Sequence, residues 1–364
     1  MAQRILESEK KNRRQYGLGI SPSFKGFSAQ VFMMKRKEFK CAMDVNVPKG
    51  VLYYKDNDLS SDVKERFFAK LVRKDNEHLF ASHYGSIEKI VYIYIPANMN
   101  CMMPVTLRTS QEQGAGAVHY IIVAGENSKA VIIEELEMDS KGYAMSTVHE
   151  MYIEEGAKIE YYHSKQMGEK SFNFNTTVCS VGRKANFKIA EFLNGGSFVQ
   201  HSYTSMIENK EAQNEYMCGF VAPQQAEYDI FGETVHCNQD TKSMMVVKGI
   251  VADDAKVISR SKIKIEKEAL RTQSQERADI LLLGEKARGD VVPMLEVNNK
   301  DVVCAHGSTV SRLNEEQLFY MNSRGLNEEE ARVALSVAFV SSIMDTFPDD
   351  INEKMVKKVS EQIQ

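Results

Sequence analysis

The sequence predicts a mainly β protein that ends in helices, and three observations support this prediction. Short apolar segments with alternating character recur between residues 85 and 313. Small-residue turns of the form Gly/Asp-x-Ala precede many of these segments, and no long helical pattern interrupts them. From residue 314 onward the apolar residues follow a helical period. We therefore expect a mixed α/β region at 1–84, a β core at 85–313 and a helical domain at 314–364.

The first region combines helical and strand signals. Val63, Phe67 and Leu71 have helical spacing within residues 62–78, and Ser60 or Ser61 can cap the start of such a helix. Before it, residues 44–54 predict a strand, a turn and a second strand, because Pro-Lys-Gly punctuates two β-rich runs.

The β core consists of many short candidate strands with similar turns between them. The clearest candidates are residues 90–95, 118–123, 130–134, 158–162, 187–190, 245–247, 262–265, 279–283 and 294–297. Strands of this length fit the stacked coils of a β-solenoid, and they also fit an ordinary β-sandwich. The pattern alone leaves both architectures open.

The C-terminal part predicts three helices. Asn314 with Gln317, and Asn327 with Glu330, have the spacing of capping boxes, and Gly325 suits a C′ position between two helices. Residues 350–363 form the third candidate helix. The second helix carries an apolar stripe of Val333, Val337, Val340 and Met344 and stops before Pro348. The stripe either packs on the end of the β core or forms a surface for a partner protein.

Composition excludes several functional classes. The net charge of −4, with 26% charged residues, gives no basic field for nucleic acid. No uninterrupted apolar run reaches the roughly 18 residues of a membrane span, and residues 1–15 are polar rather than signal-like. The six cysteines are scattered without a CxxC pair, which favours a reducing cytoplasm.

The strongest candidate for chemistry is a cysteine–histidine pair. Residues 302–307 alternate as a strand does, so Cys304 and His306 share one face, roughly 7 Å apart. Thiolate and imidazole are ligands for soft metals and for sulfur chemistry. His236 and Cys237 are a second candidate, but adjacent strand residues point to opposite faces unless a bulge intervenes. Cys218 is a weaker candidate near them.

A family resemblance rests on an ordered series of motifs. They are KGIVADDA (248–255), ALRTQSQ (269–275), LLLG (281–284), PMLEV (293–297), DVVCAHGSTV (301–310) and LFYMNSRGL (318–326). The series resembles the SufB/SufD family of iron–sulfur cluster assembly scaffolds. His236 ahead of Thr241-Lys-Ser243 also resembles a family element. The resemblance covers residues 230–345 most clearly and is faint before residue 88.

The resemblance implies a right-handed parallel β-helix with a helical C-terminal domain. It also implies a cytoplasmic, non-enzymatic scaffold that pairs with itself or a paralogue and binds SufC, an ABC-type ATPase. A transient iron–sulfur cluster is then expected at the subunit interface, with Cys304 and His306 as metal ligands and Glu296 as an oxygen ligand. Cys237 and His236 are candidates for sulfur transfer. The expected partner-binding residues are Leu318, Phe319, Tyr320, Arg324, Gly325, Val333 and Val337.

Several departures from the family pattern keep alternatives open. Ala287 stands where the SufB branch commonly has cysteine, and His306-Gly307 stands where that branch has His-Glu. His306-Gly307 and Ser323-Arg324-Gly325 look more like SufD. A single scaffold acting as a homodimer is a further possibility. The main rival function is a structural subunit that stabilises a paralogue and holds no cluster. A carbohydrate-active β-helix is disfavoured, since Trp is absent and no close carboxylate pair stands out. The chain has no P-loop, so we expect no ATP binding of that type.

Overall fold

A computed structural model describes residues 29–72, 83–139 and 141–363 and shows a parallel β-solenoid of about eight turns with a small helical C-terminal region. The β-solenoid is thus confirmed over the β-sandwich. The strands of the described part are β1 Lys40–Asn46, β2 Leu52–Lys55, β3 Ile87–Ile95, β4 Val105–Ala124, β5 Lys129–Met138, β6 Gly142–Ile153, β7 Lys158–Met167, β8 Phe172–Val181, β9 Asn186–Gly195, β10 Phe198–Ile207, β11 Gln213–Ala222, β12 Glu227–His236, β13 Lys242–Val251, β14 Lys256–Ile265, β15 Thr272–Leu282, β16 Arg288–Val297 and β17 Val302–Arg312. The helices are α1 Ala29–Arg36, α2 Ser61–Phe67, α3 Glu315–Ser323, α4 Glu328–Met344 and α5 Asp349–Ile363.

Alternate strands stack in two parallel sheets that enclose a lumen. Sheet A contains the odd-numbered strands from β5 to β17, and sheet B contains the even-numbered strands from β6 to β16. The long strand β4 joins both sheets. Strands of sheet A begin at residues 129, 158, 186 and 213, so each coil adds roughly 28 residues.

The predicted small-residue turns form the corners of the coils. Asn127, Lys184 and Asp253 adopt positive φ, between 45° and 56°, in these turns, and a strand begins two or three residues after each of them. The turns also stack: the Asn127 amide donates to the Glu155 carbonyl at 2.8 Å, and the Gly156 amide to the Arg183 carbonyl at 2.8 Å. The weak sequence repeat is therefore the corner of one coil bonded to the corner of the next.

The lumen is filled by inward side chains, most of them apolar. Tyr203 and Tyr216 stack across it with ring centroids 3.9 Å apart. Charged residues also lie inside, which the alternating pattern did not predict. They are Glu134, His149, His163, Lys165, Glu191 and His201, all at most 1% exposed.

The N-terminal region packs on the outside of the solenoid. β1 pairs antiparallel with β4 and β2 with β3, so the predicted strand–turn–strand joins the two sheets. Ser60 caps α2 through the Val63 amide, as predicted, but the helix ends at Phe67. The chain then turns because the Glu150 carboxylate binds the amides of residues 69–71 at 2.5–2.8 Å. The rest of that predicted helix, from residue 73, lies outside the described residues.

The C-terminal helices lie along the side of the solenoid. In α4 and α5, Val340, Ile343 and Ile351 pack against Phe192 and Ile250 on the outer face of sheet A. The Asn327–Glu330 capping box is present, and Gly325 has φ 100° as a C′ glycine does. Asn314 caps α3 through the Glu316 amide rather than through a box with Gln317. No helix of the described residues is long and apolar enough to cross a membrane.

Candidate functional site

The last coil of the solenoid leaves the lumen open. Leu295 and Val297 of β16 continue the inward ladders of Ile263 and Ile265, yet they are 40% and 38% exposed. Val310 of β17 also faces inward and is 43% exposed. No further coil covers these side chains in the described part of the chain. We call this surface, formed by Leu295, Val297, Cys304, His306 and Val310, the mouth.

Cys304 and His306 both face inward at the mouth. Cys304 is in register with Ser274 and His306 with Glu276, both of which are buried in the coil beneath. Cys304 is half-buried and His306 is exposed. The strand therefore presents thiol and imidazole on one face, as alternation requires, and neither is sealed inside the lumen.

A third ligand-type residue, Glu276, lies in the coil directly beneath the mouth, and the sequence did not suggest it. Glu276 is only 4% exposed, the Ser261 hydroxyl donates to its Oε1, and its Oε2 has no hydrogen-bond partner. Burial raises the pKa of this carboxyl group, and Ser261 and His306 partly oppose that rise. The sequence did contain a signal for this residue. Glu276 precedes His306 by one coil length, about 30 residues, so the two side chains occupy the same position and the same face in successive coils.

The thiol of Cys304 is held in its neutral form. Burial raises its pKa, and the nearby Glu276 carboxylate raises it further. The neighbour that acts on this thiol is thus a carboxylate, whereas a reactive cysteine needs a cation. A metal cation bound beside it would favour the thiolate form.

The structure does not place the Glu296 carboxylate beside Cys304, His306 and Glu276. Its carboxylate is 45% exposed and pairs with Lys262 at 2.9 Å and Lys264 at 3.8 Å. Because Leu295 faces inward, alternation turns Glu296 to the outer face of sheet B. The oxygen donor closest in register to His306 is Glu276 instead.

His236 is connected to the mouth by a ladder of hydroxyl groups. Its Nδ1 and Nε2 lie 2.8 Å from the hydroxyls of Thr241 and Ser243. Ser243 lies 2.7 Å from Ser274, which is in register with Cys304. Cys237 is half-buried and follows His236 in the chain, where burial and the carboxylates of neighbouring strands raise its thiol pKa.

Cys218, the weaker candidate from the sequence, lies in the closed part of the lumen. Cys218 is fully buried, and burial raises its pKa to about 12. It has the environment of a small apolar residue rather than of a reactive thiol.

The predicted partner-binding residues divide into two groups. Helix α3 has no buried residue, and Phe319 and Tyr320 are 75% and 58% exposed. Arg324 lies over the Tyr320 ring, 5.8 Å from its centroid. Val337, by contrast, packs in the cluster between α4 and sheet A. Of the other residues in the prediction, Leu318 and Val333 are half-buried, and Gly325 is exposed.

A second acid–imidazole cluster lies in the closed part of the lumen. Among the described residues, Glu134, His149 and His163 form the group whose ligand atoms all lie within 4.8 Å of one another; the mouth residues form no such group. Burial opposes ionisation of Glu134, but the two histidines and Tyr161 outweigh it and lower its pKa to about 2.

Fold and site together define a parallel β-helix protein with a thiol and an imidazole at its open end. Comparison with known proteins agrees. Residues 107–339 match the family model described as SUF system FeS cluster assembly, SufBD core domain. The match covers more than half of the chain, so this protein belongs to the SufBD family of iron–sulfur cluster assembly, as its motifs indicated.

Individual relatives are distant. The chain is 25% identical to the chloroplastic SufBD family protein ABCI8 of Arabidopsis thaliana, over 82% of this chain and 56% of that protein. It is 24% identical to the iron–sulfur cluster assembly protein SufD of Bacillus subtilis, over 83% and 70% of the two chains. A SufBD family protein of Pyrococcus horikoshii is 26% identical over 82% and 68%. The chain thus spans little more than half the length of the Arabidopsis protein.

The burial of His236 predicts acid sensitivity. Burial lowers its pKa to about 4, whereas an unfolded histidine titrates near 6.5. As the pH falls below about 6.5, His236 becomes protonated in the unfolded state but stays neutral in the folded state. Protonation therefore stabilises the unfolded state, and the free energy of unfolding decreases. We expect this residue to account for roughly 2 kcal/mol of lost unfolding free energy at about pH 5.

Urea unfolding of the wild type and His236→Gln near pH 7.5 and pH 5 measures this contribution. Glutamine does not titrate and can keep polar contacts to the hydroxyls. The unfolding free energy of the variant should therefore fall by roughly 2 kcal/mol less than that of the wild type between the two pH values. Equal pH dependence in the two proteins would contradict the assignment. Comparing the differences between the two proteins removes the effect of the other buried histidines.

Proposed function

We propose that this protein is a non-enzymatic, cytoplasmic scaffold subunit that holds a nascent iron–sulfur cluster at its mouth. The observation that carries the proposal is the shared inward face of Cys304 and His306 at the open end, with the Glu276 carboxylate beneath them. Thiolate, imidazole and carboxylate together offer iron a graded set of ligands. Membership of the SufBD family supports the same cargo.

The chemistry of the mouth suits the release of a nascent cluster as well as its binding. Cys304 is a neutral thiol until a cation arrives, so iron must displace its proton before a thiolate bond forms. Two of the three ligands lie on a half-exposed last strand rather than in a closed cavity. Such a site holds iron and sulfide loosely, which suits a cargo that is passed on.

A second scaffold subunit, identical or related, completes the site in this proposal. β16 and β17 are each paired on one edge only within the described structure, so each has backbone donors and acceptors free on the other. The apolar side chains Leu295, Val297 and Val310 surround the ligands. Apposition of two mouths buries this apolar surface and brings ligands from both subunits together.

Helix α3 is the proposed docking site for a SufC-like ABC ATPase. It follows β17 directly and presents Phe319 and Tyr320 to solvent without packing any residue in the core. Aromatic side chains flanked by Arg324 are typical anchors of protein interfaces. Since α3 adjoins the mouth, movement of a bound ATPase can open or close the interface between scaffolds.

A structural subunit that holds no cluster is the second candidate. Two observations on the described residues favour it: those at the mouth of one chain do not converge as a complete ligand set, and none of the groups that act on Cys304 is a cation that lowers its pKa. Such a subunit would pair through its mouth and bind the ATPase while its partner holds the cluster. A carbohydrate-active enzyme is disfavoured, because Glu134 and Glu191 are sealed in the lumen.

Anaerobic reconstitution with iron and sulfide tests the cluster. We expect His306→Ala and Cys304→Ser to fold normally but lose most of the cluster absorbance, because each removes one of the ligands at the mouth. Cys237→Ser is the matched control, since this cysteine lies outside the proposed ligand set. Wild-type yield in both mouth variants would exclude the site, and a wild type that stays empty while its partner scaffold takes up the cluster would support the structural subunit.

Sedimentation of the purified protein, alone and with its partner scaffold, tests pairing through the mouth. The double variant Leu295→Lys, Val310→Lys places two cations on the apolar surface, where burial against a second subunit is costly. We expect association to weaken at least tenfold. Met102→Lys is the control, because Met102 is 86% exposed in a loop before β4. Unchanged association in the double variant would exclude this interface.

Co-purification with the ATPase tests the role of α3. Truncating Phe319 and Tyr320 to alanine removes two exposed anchors without opening the core, and we expect a loss of about 2–4 kcal/mol in binding free energy. Circular dichroism and thermal unfolding should stay unchanged. Met102→Ala serves as the matched exposed control. Full ATPase binding by the double variant would refute docking through α3.

A further inference from the structure

We infer that the closed lumen contains a mononuclear site for a divalent transition metal, ligated by Glu134, His149 and His163. The site is separate from the mouth and does not depend on the proposed function. It lies between β5, β6 and β7, several coils away from β16 and β17. All three side chains are fully or almost fully buried, at 0–1% exposure.

The distances between ligand atoms match those around a metal ion. Nε2 of His149 lies 3.1 Å from Oε2 of Glu134, and Nε2 of His163 lies 3.3 Å from Oε1 of the same carboxylate. Two ligand atoms at right angles, each about 2.1 Å from a metal, are about 3.0 Å apart. Two imidazoles and one carboxylate also form the facial donor set that suits ferrous iron.

Unsatisfied nitrogen atoms point to a missing ligand. Neither ring nitrogen of His163 has a well-aligned hydrogen bond, although the ring is fully buried, and Nδ1 of His149 also lacks one. The Glu134 oxygen near His163 is close enough for contact but not aligned as an acceptor. Buried polar atoms without partners are costly, and a metal bound to Nε2 of His163 removes that cost.

Neighbouring groups are placed to orient the ligands. The Tyr161 hydroxyl donates to Oε2 of Glu134, which fixes the carboxylate. Oε1 of Glu191 lies 3.5 Å from Nδ1 of His163, on the side of the ring away from Glu134. Metal-bound histidines commonly direct their second nitrogen at a carboxylate in this way. His149 is held by stacking on Tyr120 at 4.4 Å.

The acidic and basic side chains around these three residues also favour a bound cation. Near this site the lumen contains the acidic side chains of Glu134 and Glu191 and the basic side chain of Lys165, whose Nζ lies 3.3 Å from Oε1 of Glu191. Apart from the histidines, two acidic side chains therefore share this part of the lumen with one basic side chain, a composition that suits a bound cation. A proton shared with an imidazole is the competing occupant, and the experiment below separates it from a metal.

Metal content after refolding tests the site. The variant Cys304→Ser, His306→Ala is the background, so that iron at the mouth cannot contribute. The full chain is refolded from urea without oxygen in excess Fe²⁺ or Co²⁺, because the buried ligands are accessible only before folding. After desalting we expect roughly one metal per chain, and a cobalt spectrum without thiolate charge transfer.

Two variants of the same strand provide the comparison. Glu134→Gln in this background should lower the metal content at least tenfold, and Glu137→Gln, whose side chain is exposed at the end of β5, should not. Metal should also raise the melting temperature of the background protein but not that of Glu134→Gln. If Glu134→Gln fails to fold, the background protein still decides: refolding to full stability without bound metal overturns the site. Equal metal in both glutamine variants overturns it too.

Discussion

The structure depends on the in-register stacking of inward side chains. Each coil places a residue directly over its counterpart in the coil beneath, as with Ser243, Ser274 and Cys304 in sheet A. Polar side chains in such a lumen are removed from bulk water, so it is costly to leave one without a partner in the neighbouring coils or across the lumen. The hydroxyl ladder from His236 meets this requirement, since every member has a partner within 3.0 Å.

The mouth is a consequence of the same rule where the repeat stops. Inside the solenoid, a residue such as Glu276 is covered by the next coil. At β17 the next coil is missing, so His306 keeps a neighbour on one side only. The functional surface therefore needs no special loop. It arises because ligand-type residues occupy the last positions of ladders that are otherwise closed by stacking.

The sequence predicted those features that are local in the chain. Alternation gave the strands and the shared face of Cys304 and His306, and the Asn327–Glu330 spacing gave a capping box. It did not predict where α2 ends, because the cause is the carboxylate of Glu150, far along the chain. Glu276 was missed for a similar reason. Alternation along a strand predicts which face a side chain occupies. Predicting which residue lies beneath it in the previous coil also requires the number of residues per coil, and that number depends on the length of each turn.

The two acid–imidazole centres differ because one is closed by coils and the other is not. At Glu134, the coils above and below hold His149 and His163 in place, so a bound cation would be exchanged only when the solenoid opens. At the mouth, Glu276 is equally buried, but the thiol and imidazole above it face outward to a surface that a second subunit can cover or expose. Stacking thus favours permanent binding in the lumen and reversible binding at its end, with the same types of ligand. The position of a ligand set along the solenoid, more than its composition, determines how long it retains what it binds.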